Sequence, residues 1–99
     1  MIKHRFTVNA QFDLQDAVDF YNNQSRGLGY EFAVEVGLAL SKILGSPNSW
    51  LEFERGFRRY RLNRFPYGVA YRVLNPRLVE IVAIFDLRAE PGSWRRNLA

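Results

Sequence analysis

The sequence predicts an α+β domain of order β-α-α-β-β-β, with an antiparallel helical hairpin packed on one face of a small, mostly antiparallel sheet. Three observations carry this. Two stretches in the first half repeat apolar residues at helical spacing, separated only by Gln24-Ser25-Arg26-Gly27. Gly56 to Tyr71 alternates arginines with aromatic and small residues in two runs broken at Pro66. Leu78 to Phe85 is almost wholly apolar and rich in β-branched residues. Two helices cannot bury their stripes on each other alone, so the hairpin must cover the sheet.

The elements follow in order. Ile2 to Val8 alternates His4, Phe6 and Val8 against Lys3, Arg5 and Thr7, as a strand does. His4, the single histidine, reads as a structural or surface residue rather than a catalyst or ligand. Asn9 is placed to cap a first helix over about residues 10–25, whose stripe is Ala10, Leu14, Ala17, Val18 and Tyr21. Asp13, Asp16 and Asp19 fall on its more exposed flank as a solvated face. Gly27 suits the left-handed position that ends a helix. The second helix, about Leu28 to Leu44, carries Phe32, Val36, Ala39, Leu40, Ile43 and Leu44, and Gly45 and Pro47 stop it. Ser46 to Glu54 reads as a loop or short turn carrying Trp50. Asn75-Pro76-Arg77 turns the chain into Leu78–Phe85, a central strand buried on both faces. Asp86 to Ala99 reads as a polar tail in which Trp94, like Trp50, covers the edge of the core. No repeat or second domain interrupts residues 1–99.

Alternation assigns the arginines. Phe57, Arg59 and Arg61 share one strand face, and Arg58, Tyr60 and Leu62 the other. In the next run Tyr67, Val69, Tyr71 and Val73 form an apolar face, while Gly68, Ala70 and Arg72 look the opposite way. The sheet therefore has a core side and a side of arginines and small residues. Arg59, Arg61, Arg72 and Arg88 are the expected working set, converging on one cleft away from the helices. Phe57, Tyr60 and Phe65 read as core packing rather than base-stacking platforms.

Composition bounds the function. A hydrophobic share of 47% allows a real core without staples. The absence of cysteine excludes disulfides and thiolate metal sites and fits a reducing, cytoplasmic setting. No basic start with an apolar run and cleavage site is present, and no apolar run approaches the roughly 20 residues that span a bilayer, so no membrane role is expected. Residues 51–99 hold ten arginines and no lysine against Glu52, Glu54, Glu80, Asp86 and Glu90. Guanidinium groups grip phosphate and carboxylate bidentately, so this half points to a polyanionic or acidic partner.

The segments DLQDAVDFY, LGYEF, RRYRLNRFPYGVAYRV and IVAIFDLRAEPGSW, with the Pro47–Trp50 loop and the terminal Arg95-Arg96, span nearly the whole chain in order. Together they resemble the RelE/ParE superfamily of type II toxin–antitoxin toxins. The resemblance implies a cognate acidic antitoxin, and a target that is either DNA gyrase or the ribosome and its mRNA. In the mRNA-cleaving branch, basic residues on the second strand match Arg59 and Arg61, and an arginine after the last strand matches Arg88. A further arginine of that branch falls here on Gly68, its C-terminal tyrosine on Trp94, and the histidine of many close relatives on Asp86. Arg72 shares a face with Gly68 and supplies part of the missing charge. The resemblance is thus ParE-like more than RelE-like.

Three readings follow. The first is a toxin that inhibits growth by binding a macromolecular target and is neutralised by its antitoxin. The second is a metal-independent, ribosome-dependent mRNA endonuclease acting through Arg59, Arg61, Arg72 and Arg88. The third is a non-catalytic RNA- or protein-binding domain of toxin ancestry. None calls for a cofactor.

Overall fold

The computed structural model describes residues 1–98. Its order is β1 (Lys3–Phe6), α1 (Val8–Gln24), α2 (Leu28–Gly45), β2 (Glu52–Glu54), β3 (Phe57–Arg61), β4 (Tyr67–Asn75), β5 (Leu78–Asp86) and a 3-10 turn, Ser93–Leu98. The sheet runs β1-β5-β4-β3-β2. β1 is parallel to β5 and every other pair is antiparallel. The expected α+β architecture is therefore present, with one strand more than expected. Glu52–Glu54 forms β2 rather than loop, held by register to Phe57 and Arg58. Three residues give too short a period to read, and β3 supplies their partners from outside the segment.

The helical hairpin forms as expected, with its ends set differently. Thr7, not Asn9, caps α1, its hydroxyl accepting from the Ala10 N–H at 3.1 Å. Thr7 also donates its own N–H to Ile81 O at 3.0 Å, so β1 and the cap are one construction. Gly27 takes φ +86°, left-handed as expected, but it caps the start of α2, while Ser25, in extended backbone, ends α1. At Gly29 the helices meet closely. A Cβ there would lie 2.3 Å from the Val18 carbonyl oxygen, and the Gly29 N–H donates to Asn22 Oδ1 at 2.8 Å.

The hairpin buries one face of the sheet. Phe32, Val36, Ala39 and Ile43 pack with Val69, Tyr71, Val79 and Ile81 in the main core. Tyr21 stacks on Phe32 there, and Phe65 meets both edge to face, with ring centroids 4.8–5.3 Å apart. The opposite face carries a second, smaller core. Ala70, Val82 and Ala83 are covered by Trp94, which is 5% exposed, with Phe53, Phe57 and Phe85 around it. The bulge that pairs Ala70 with Ala83 but Tyr71 with Ile81 leaves Val82 extra, and lets both Val82 and Ala83 join this second core. The expected polar tail is thus a structured cap as far as Leu98, and Ala99 lies outside the described residues.

Candidate functional site

β2 pairs with β3 only briefly. The last contact is Arg59 N–H to Leu51 O at 2.9 Å. Beyond it the chain leaves toward Trp50, and among the described residues no strand pairs with the rest of β3 on that side. A hollow of about 310 Å³ opens there, walled by Trp50, Leu51, Arg59, Tyr60, Arg61 and Asn63. Trp50 fixes the outer wall, with its indole N–H bonded to Lys42 O at 3.2 Å and its ring 4.8 Å from that of Tyr60.

Arg59 and Arg61 sit two apart on β3, opposite Ala70 and Gly68, on the face away from the helices. Among the described residues neither forms an ion pair. Arg61 is exposed. Arg59 is half-buried, its guanidinium 5.4 Å from the Phe53 ring centre and its Nε buried without a hydrogen-bond partner. A buried guanidinium N–H left unpaired is costly.

The other two expected arginines stand elsewhere. Arg72 places Nε and Nη2 on Glu80 Oε1 at 2.9 and 2.8 Å. Arg88 doubles back on Asp86, giving Nε to Oδ1 at 3.0 Å and Nη2 to Oδ2 at 2.9 Å. These bonds hold the Asp86 carboxyl below its ordinary value and the Arg88 guanidinium above its own. Arg88 lines a different hollow, with Tyr21, Arg64 and Phe65. The expected single cleft of four arginines is therefore corrected. Two share a hollow, and two are paired with carboxylates, Arg72 with one it shares, whose proximity alternation does not reveal.

The structure also accounts for two substitutions in the resembling pattern. A Cβ on Gly68 would meet Leu87 at 3.2 Å and Arg59 Cγ and Phe85 at 3.3 Å, so Arg59 already fills the space a side chain would need. Trp94 lies inside the second core, 5.0 Å from Phe53 and 5.1 Å from Phe57 by ring centres, where it packs rather than moves protons. Tyr71 is wholly buried on the helix side and donates to Pro47 O at 2.6 Å. Burial pushes its phenol up to about 12. Among the described residues no group of His, Cys, Asp or Glu is placed to hold a metal.

Sequence reasoning missed Asp13. Expected in the solvated face of α1, it is partly buried and accepts both the Ile84 N–H at 3.0 Å and Asn97 Nδ2 at 2.6 Å. Its Cα lies on the helix flank that the C-terminal turn covers, and helical periodicity carries no signal of that cover.

No family model and no curated protein matches the chain. Among solved structures, a chain of the "Chromosomal ParDE TA system from P. aeruginosa" superposes with a TM-score of 0.77 at 18% identity, covering 89% of this chain and 98% of that one. The fold is the ParE-like one. The α+β architecture expected from the sequence is thus shared almost end to end with a toxin–antitoxin structure, although few residues are common to both. Among the described residues no helix is long and apolar enough to cross a membrane.

Proposed function

We propose that this chain is the toxin of a type II toxin–antitoxin pair, acting by binding a macromolecular target and held inactive by an acidic antitoxin. The observation that carries the reading is the ParE-like fold shared over 89% of the chain. The site chemistry supports a binding toxin over a nuclease. Metal-free RNA cleavage needs a group that moves protons beside cations that stabilise the phosphorane. Here Trp94 is packed away, Gly68 offers no charge, and Asp86 is tied to Arg88. What remains is an open strand edge with the unpaired Arg59 and Arg61 beside Trp50 and Tyr60, a surface suited to gripping an anionic or carboxylate-rich partner.

Growth of cells expressing the chain tests this. Arrest that Arg59→Ala plus Arg61→Ala relieves, with the double variant still folded, is the expected result; unimpaired growth on expression of the unaltered chain removes the toxin reading. DNA gyrase is the proposed target, and supercoiling in the presence of purified protein reports on it directly. A second reading, ribosome-dependent mRNA cleavage, is favoured by Arg59 alone, through its unpartnered buried Nε. Programmed ribosomes left uncut by the purified protein eliminate it.

A further inference from the structure

The face of the sheet that Trp94 covers is not covered throughout. Toward β1 it carries a different group of residues. Glu80, the third residue of β5, is only 7% exposed, and register places Arg5 of β1 on one side of it and Arg72 of β4 on the other. Arg5 Nε reaches Oε2 at 3.1 Å, while Arg72 takes Oε1. Each oxygen of one carboxylate thus anchors a different guanidinium. Elsewhere the ion pairs run one to one: Arg58 with Glu52, Arg64 with Glu31, Arg88 with Asp86, Arg95 with Glu54. At Glu80 two arginines share one acid, and their side chains remain 58% and 43% exposed. Lys3 lies on the same strand face as Arg5, beside Leu78.

The excess positive charge is held in place rather than dangling. A carboxylate buried between two arginines fixes their planes and leaves both terminal nitrogens of Arg5 and Nη1 of Arg72 outside the pairing, which lowers the ordering cost of gripping a second anion. The surroundings select the anion. Leu78 and the 36% exposed Leu74 give the patch apolar ends. Phe57 lies under Arg72 and against Trp94, so this ring is not a free stacking surface for a nucleobase.

We infer that Lys3, Arg5 and Arg72 form a docking patch for an acidic polypeptide segment that also carries apolar side chains. One carboxylate bridges Arg5 and Arg72, a second meets Lys3, and the apolar groups rest on Leu74 and Leu78. The inference rests on the toxin reading only for the partner's role as antitoxin; the contact itself does not require it.

A synthetic peptide of alternating glutamate and leucine, titrated onto the purified full chain, tests the patch. Lys3→Gln with Arg5→Gln leaves Glu80 paired to Arg72, and Arg72→Lys leaves it paired to Arg5, so circular dichroism should be unchanged in both. Each is expected to weaken binding about tenfold or more, the first by removing charge, with a flatter salt dependence, and the second by losing the planar fork while the charge and the salt dependence remain. Arg26→Gln, in the hairpin turn, is expected to bind as the unaltered chain does. Equal binding by all four proteins, or none by any, overturns the patch. So does a single-stranded RNA that binds more tightly than the peptide and loses affinity in the same variants. Because growth is not the readout, a patch that binds peptide in a chain without toxicity leaves the inference standing and sinks only the toxin reading.

Discussion

Arg59 and Arg61 differ from Arg58, Arg64, Arg72, Arg88 and Arg95 in forming no ion pair among the described residues. Arg59 owes its position to Gly68, the register partner of Arg61 and two residues from Arg59's own partner Ala70, whose missing side chain leaves room for the arginine stem. Tyr71 shows the reverse case, a polar group satisfied inside the core. Its hydroxyl ties β4 to the loop after α2 through Pro47 O. Tyr71→Phe should cost about 1–2 kcal/mol in denaturant unfolding, because Pro47 O loses its donor. The same residue sets an alkaline limit. Its phenol ionises near 10.0 when unfolded and near 12 when folded, so the folded state holds the proton longer. That contribution is fully present below pH 10 and is lost as pH rises toward 12. The decline should be shallower in Tyr71→Phe, as unfolding curves followed by circular dichroism across that range will show.

At the scale of elements, two contacts decide how the layers are assembled. The hairpin closes at Gly29, where α2 meets the backbone of α1. Because the obstructing atom is a carbonyl oxygen, Gly29→Ala must push the helices apart, and a loss of about 2–3 kcal/mol is expected by urea denaturation. A loss below about 0.5 kcal/mol would mean the hairpin slides to make room. The 3-10 turn is the second case. Trp94 is the only residue of this element that is buried, and it covers Ala70, Val82 and Ala83. Trp94→Ala should cost about 3 kcal/mol. The damage should stay local. Hydrogen exchange is expected to accelerate in β2 and the C-terminal turn, while the β4–β5 ladder under the helices keeps its protection.

For the whole molecule, Asp13 joins three elements: α1 carries it, β5 donates Ile84 N–H, and the C-terminal turn donates Asn97 Nδ2. Burial raises its carboxyl above the ordinary 3.8, a shift the two hydrogen bonds oppose. The folded protein therefore binds this proton more readily than the unfolded chain. The ionised group costs stability at neutral pH, and the cost fades as pH falls through its folded value toward 3.8. Both donors use the same oxygen, Oδ2, which an amide oxygen can replace. Asp13→Asn should thus be at least as stable as the unaltered chain at pH 7, with its advantage shrinking in acid. A large loss at pH 7 would show that the charge itself holds the turn.

How much of this could be read beforehand divides along the range of the interactions. The helices, the order of the strands and the two faces of β3 and β4 were legible, because each follows from spacing within a dozen residues. β2 was not, since three residues have no readable period. The cover formed by Trp94 was not, since a lone tryptophan in a polar tail carries no address. Of the four expected arginines, alternation placed Arg59, Arg61 and Arg72 correctly on the face away from the helices. It had no means of pairing them.

The chain's own residue pattern therefore settled the layered architecture and the side of the sheet on which positive charge would gather, since periodicity and steric alternation are local. Which of those charges stay available was decided only on folding. Glu80 stands between Arg5 and Arg72, and Glu31 beside Arg64, because strand register and helix docking bring distant segments together. Ionic attraction falls off with separation in space, and separation in space is what a one-dimensional reading lacks.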